Sequence, residues 1–147
     1  MSAQTNIAPV LRSVTVAVPI ERAFDTFTRR IGDWWPLRTH GVFEDEAAGV
    51  AFDGARLVER SKSGEESVWA EVLAWEPPTR IAFTWHPGHA EGDPSTEVEV
   101  RFREQGGCTI VELEHTGWER LGERAEEARA DYPDGWVYVL GHFERAL

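Results

Sequence analysis

The chain has 147 residues, 41% hydrophobic and 28% charged, which are the proportions of a globular domain and exclude a disordered or membrane-embedded chain. A chain of this length buries about two-thirds of its unfolded surface, enough for a single core. Fifteen Lys and Arg against twenty-six Asp and Glu leave a formal charge of −11, which repels phosphate backbones and anionic lipid, so neither nucleic acid nor a membrane surface is an expected partner.

Residues 1–12 read as a flexible polar tail and residues 13–147 as one domain. The first residues carry neither the basic nor the apolar region of a signal peptide, so a cytoplasmic location is expected. A single cysteine, Cys108, excludes an intramolecular disulfide. No apolar run approaches the ~20 residues that span a bilayer. Val14, Val16 and Val18 then alternate with Thr15 and Ala17, the period of a half-buried strand, which Pro19 ends. Ile20, Ala23, Phe24, Phe27 and Ile31 follow at the spacing of one apolar helix face, with Gly32 as its expected stop. The segment Asp33 to Val42 holds Trp34, Trp35 and Pro36 and reads as a second short helix or turn.

From Val50 to His115, turn signals at Gly64, Pro77-Pro78, Pro87-Gly88, Gly92 to Pro94 and Gly106-Gly107 separate a string of antiparallel strands. Arg80 to Trp85 puts Ile81, Phe83 and Trp85 on one face. Glu97 to Arg103 sets Val98, Val100 and Phe102 against Glu97, Glu99, Arg101 and Arg103, one covered face and one wet one. In Cys108 to His115, the inward set is Thr109, Val111, Leu113 and His115, with Cys108, Ile110, Glu112 and Glu114 outward. Trp118 to Arg129 is charge-rich with Leu121, Ala125 and Ala128 on one stripe, a solvated helix. Asp134 caps a final helix whose Trp136, Val139, Leu140, Phe143 and Leu147 cover the sheet.

Four stretches in this order resemble the START-like helix-grip (SRPBCC) superfamily, and within it the AHSA-type domain named for the activator of the heat-shock ATPase. They are VAVPIERAFDTFT (Val16 to Thr28), IGDWWP (Ile31 to Pro36), EVLAWEPPTRIAFTW (Glu71 to Trp85) and DGWVYVLGHFERAL (Asp134 to Leu147). The resemblance implies an α+β fold: a curved antiparallel sheet of six to seven strands wrapped around a long C-terminal helix, with two short helices after strand one. It also implies a hydrophobic cavity between sheet and helix. Relatives bind lipids, sterols, polyketides and plant hormones, and a few are cyclases or hydrolases, so the fold alone does not name the function.

Seven tryptophans and seven phenylalanines are a heavy aromatic load for so small a core. They either fill the interface of sheet and helix or line an apolar pocket. The candidate ligand-binding set is Trp35, His40, Trp69, Glu71, Phe83, Trp85, Phe102, His115, Trp136, Leu140 and Phe143. His115 is the candidate catalytic residue, because strand alternation puts its imidazole on the apolar face, in contact with Trp136, Val139 or Leu140, where burial lowers its pKa. The alternative is a histidine satisfied by backbone or by Thr116. Among carboxylates within strands, Asp53, Glu71, Glu112 and Glu114, only Glu71 has a route to a cavity, and Ala70, Val72 and Ala74 compete with it for the inward face.

His86 and His89 straddle Pro87-Gly88, a hairpin too loose for zinc, which takes three or four firmly held ligands, so no metal is expected. Cys108 has no activating base and reads as inert. No phosphate loop, nucleophile elbow or dinucleotide fingerprint is present, and no cofactor is expected. The preferred function is binding of a small apolar or amphipathic molecule in the cavity between sheet and helix, with no catalysis or only weak catalysis. The alternative is a protein-interaction module of the co-chaperone type, linked to stress response, whose acidic surface docks on a chaperone or other protein. A third is a cyclase, dehydratase or hydrolase using His115 with Glu71 or His40. Monomer and homodimer are both open.

Overall fold

The computed structural model describes residues 7–89 and 93–147. The turn signal at Gly92 lies outside them. The described residues form a seven-stranded antiparallel sheet in the order β1-β7-β6-β5-β4-β3-β2. Its strands are β1 (Val10–Val16), β2 (Ala47–Asp53), β3 (Arg56–Ser61), β4 (Glu66–Glu76), β5 (Arg80–Trp85), β6 (Thr96–Gln105) and β7 (Cys108–Thr116). Between β1 and β2 the chain makes α1 (Ile20–Phe27) and the short α2 (Leu37–His40), and after β7 come α3 (Ala125–Arg129) and the long α4 (Tyr132–Arg145). Register shifts in β2, β3 and β4 mark bulges, which bend strands and curl the sheet. This is the curled sheet and C-terminal helix of the helix-grip fold. No described helix is long and apolar enough to cross a membrane.

The alternation in β6 and β7 holds along both strands, while in β5 Ala82 is buried as well as Ile81, Phe83 and Trp85. Ile81, Phe83, Trp85, Val98, Val100, Phe102, Thr109, Val111, Leu113 and His115 are all buried. Beneath α4, whose Trp136, Val139, Leu140 and Phe143 are buried, aromatic edges meet faces: Phe27 lies 5.3 Å from Phe143 and 5.9 Å from Phe102. On the opposite face, Glu99 pairs with Arg80 and Arg101, and Arg103 reaches Glu112.

Four boundaries differ from expectation. β1 begins at Val10, inside the stretch read as tail, and Arg129 donates to the carbonyls of Ala8 and Pro9. α1 stops at Phe27, one turn short of Ile31. The Thr28 hydroxyl and N–H both donate to the Phe24 carbonyl, while the Trp34 indole takes the Thr26 carbonyl at 2.7 Å. Gly32 is therefore not a helix stop: a Cβ there would sit 2.6 Å from the Val50 carbonyl oxygen, so glycine permits a close crossing of two backbones. The helix expected from Trp118 breaks at Gly122, whose φ of 63° and ψ of −130° divide a 3₁₀ segment from α3. Asp131, not Asp134, occupies the cap position of α4, and Asp134 lies in the first turn, where a carboxylate suits the helix dipole.

Candidate functional site

An open cleft of about 400 Å³ lies where the first turns of α4 meet the end of β5 and the loop after α2. Trp35, Trp85 and Trp136 form its floor, Tyr132, Gly135, Val139 and Ala128 one side, and His40, Gly41, Val42, Pro87 and Asp131 the rest of its lining. The three indoles touch one another, with centroids 5.8 Å (Trp35 to Trp85), 5.2 Å (Trp85 to Trp136) and 6.1 Å (Trp35 to Trp136) apart. They are only 8%, 5% and 3% exposed, so most of the volume lies towards the mouth, above a narrow apolar floor.

Each indole N–H is spent inside the protein. Trp35 donates to the His40 carbonyl at 3.0 Å, Trp85 to the Tyr132 hydroxyl at 3.1 Å, and Trp136 to His115 Nδ1 at 3.0 Å. The floor therefore presents carbon, and its rings are fixed before any ligand arrives.

His115 is fully buried and does not border the cleft. An indole nitrogen can only donate, so Nδ1 is the acceptor and the neutral ring carries its proton on Nε2. Nε2 lies 2.6 Å from Thr96 Oγ1, and the threonine hydroxyl passes its own proton to the Trp85 carbonyl at 3.3 Å. Burial, reinforced by the positive charge of Arg129, lowers the His115 pKa from 6.5 to about 3. The expected contact with Trp136 and the lowered pKa are both present. The role of base is not, because both nitrogens are occupied and no face is open to substrate. Its partner is Thr96 rather than Thr116, and its own carbonyl accepts from Trp118 Nε1 at 3.0 Å.

The other proposed site residues divide. Trp35, His40, Trp85 and Trp136 come together at the cleft. Trp69, Phe83, Phe102, Leu140 and Phe143 are buried core residues that do not line it. Glu71 is on the outer face: β3 pairs Leu57 with Ala70 but Val58 with Val68, so the bulge buries both Trp69 and Ala70 and turns Glu71 outward. There it shares a polar depression with His86, His89 and Asp93. Among the described residues, no three His, Cys, Asp or Glu side chains are grouped as a metal site.

Two residues were missed. Glu59 is fully buried on β3; one carboxylate oxygen accepts from Val42 N–H (2.7 Å) and Trp69 Nε1–H (3.1 Å), the other from Phe43 N–H (3.1 Å). It thereby ties the lip of the cleft to the core, and Gly41 makes room for it, since a Cβ there would lie 2.8 Å from Glu59 Oε2. Counting by two from buried Leu57 points Glu59 inward, a signal available in the sequence. Tyr132 lay before the expected start of the last helix, and nothing in its neighbours marked it. At the rim, His40 stacks on Tyr138 of α4 at 4.8 Å. Partial burial, then the nearby His142, lowers the His40 pKa.

Among curated proteins none matches this chain in sequence. Among solved structures, CalC of Micromonospora echinospora, a self-sacrificing resistance protein, is 26% identical over 95% of this chain and 93% of its own, with a TM-score of 0.71. Txn09, an anthrahydroquino-γ-pyrone synthase, is 36% identical over 86% of both chains, with a TM-score of 0.57. The Aha1 dimer of Colwellia psychrerythraea, at 15% identity over 96% of both chains and a TM-score of 0.66, shares the fold. Residues 17–147 match the family profile of the activator of Hsp90 ATPase homolog 1-like proteins, AHSA1. With nearly the whole domain matched, and the curled sheet and C-terminal helix in place, the chain belongs to the AHSA1 family.

Proposed function

We propose that this protein binds a small, flat, largely apolar molecule in the cleft above Trp35, Trp85 and Trp136. The observation that carries the reading is that all three indole N–H groups are already bonded within the protein, leaving an apolar surface that costs little desolvation to cover. The 36% identity to a synthase of a fused-ring pyrone makes fused aromatics the first probes to try. The charge of −11 favours cationic versions of them. Titration with 2-(aminomethyl)anthracene should quench tryptophan fluorescence and raise Tm with the logarithm of ligand excess, because a ligand specific to the native state stabilises it by mass action. Saturating probe that changes neither signal overturns the reading.

A second reading, a cyclase-type enzyme in the same cleft, is favoured by the same 36% identity. His115 and Glu71 do not line the cleft, so the titratable groups offered to such a reaction are His40, Asp131 and Tyr132. The co-chaperone alternative draws on the family profile and on a likeness of fold to the Aha1 dimer, and no feature of the cleft favours it.

A further inference from the structure

Tyr132 opens α4 and lines the cleft, its ring packed edge-on against His115 at 4.8 Å and tilted on Trp118 at 5.1 Å. Trp85 Nε1–H donates to its oxygen at 3.1 Å. Because the indole is a donor only, the phenol accepts in that bond and its own proton is left over. Among the described residues the hydroxyl makes no second hydrogen bond. Burial raises the Tyr132 pKa above its usual 10, the Trp85 N–H opposing it more weakly, so the proton stays on the oxygen at neutral pH. With the three indole N–H groups spent, this O–H is a fixed polar donor beside a floor of carbon, and the other polar side chains of the lining are Asp131 and His40.

Resting on the binding reading above, we propose that the Tyr132 hydroxyl donates a hydrogen bond to the ligand and selects flat aromatic molecules that carry a carbonyl or quinone oxygen at the ring edge. The Trp85 bond fixes the phenol oxygen, so only the torsion of the O–H remains to be set when the acceptor arrives. Other donors near the mouth, such as the His40 imidazole, lie on the exposed rim, where water competes for them.

The test is calorimetric titration of wild type and Tyr132→Phe with a matched pair, 2-(aminomethyl)anthraquinone and 2-(aminomethyl)anthracene. The readout is the ratio of the two affinities, which cancels general changes in the cleft. Wild type should prefer the quinone by about fivefold to tenfold, the gain of one neutral hydrogen bond. Tyr132→Phe also strips the Trp85 indole of its acceptor, so it should weaken both probes alike and lose the preference between them. A preference that survives in the variant, or wild type that binds both probes equally, overturns the proposal while the binding reading stands. Wild type that binds neither probe overturns both. Should Tyr132→Phe fail to fold for want of an acceptor for Trp85, the infrared carbonyl band of the quinone bound to wild type decides. A band moved to lower wavenumber relative to an aprotic solvent supports the proposal, and an unmoved band refutes it.

Discussion

Lowering the pH tests the interior network at His115 directly. The folded chain holds this imidazole neutral with a pKa of about 3, against 6.5 in the unfolded chain. The unfolded state takes up the proton more readily, so acid favours unfolding. The stabilisation is complete above about pH 6.5 and is lost as pH falls towards 3. Over the whole interval the difference of about 3.5 pH units amounts to about 5 kcal/mol as a ceiling. Between pH 7 and pH 5, before the carboxylates titrate, the same linkage predicts a loss of about 2 kcal/mol. Urea melts at half-unit steps measure that loss, and histidine ¹⁵N NMR identifies its source. The His115 ring should show an unprotonated Nδ1 and a protonated Nε2, with no titration between pH 8 and 5. A ring that titrates near pH 6.5, or one protonated at Nδ1, refutes the network from Trp136 through His115 to Thr96.

Two substitutions separate binding from folding. Gly135→Leu meets no heavy atom within 4 Å of its Cβ, so the better helix former should raise stability by about 1 kcal/mol, read as a higher Tm, while its side chain fills the cleft. Probe binding should fall at least tenfold by calorimetry, and unchanged binding would place the ligand elsewhere. Glu59→Gln turns an amide NH₂ towards either Phe43 N–H or the pair from Val42 and Trp69. It should cost about 2 kcal/mol in urea melts and speed hydrogen exchange at Val42 and Phe43, whereas unaltered exchange there would show that the carboxylate does not hold the lip.

The parts of the fold legible in sequence were those governed by period alone. β6 and β7 alternate without interruption, so the inward position of His115 followed from Thr109, Val111 and Leu113 by counting. Counting failed where the chain inserts a residue: the bulge beside Trp69 reverses the direction of Glu71, and no composition signal announces it. It failed also where side chains overrule helix period, as at α1, which the Trp34 indole and Thr28 hydroxyl stop early. The candidate site was half visible for a similar reason. Aromatic residues on an inward face are certain to be buried, but which of them border an opening depends on where α4 begins and how the α2 loop is tied down. Those two features rest on Tyr132 and Glu59, neither of which belongs to a motif.

The three indoles are fixed by partners at different distances in sequence, and this decides how the cleft responds to damage. Trp35 is held by the carbonyl of His40, five residues on, a bond local to α2. Trp136 and Trp85 are held across the core, by His115 at a separation of 21 residues and by Tyr132 at 47. A fault confined to the His40 carbonyl therefore frees one indole of the floor and leaves the other two paired. Misdocking of the first turn of α4 releases two walls and unpairs two buried N–H donors, each costing about 1–3 kcal/mol, so floor and stability are lost together. Pro87, Ala128 and Gly135 line the same cleft without holding any indole. Ligand preference is thus free to change at those three positions, where the shape of the mouth can be altered without withdrawing a hydrogen bond from the floor.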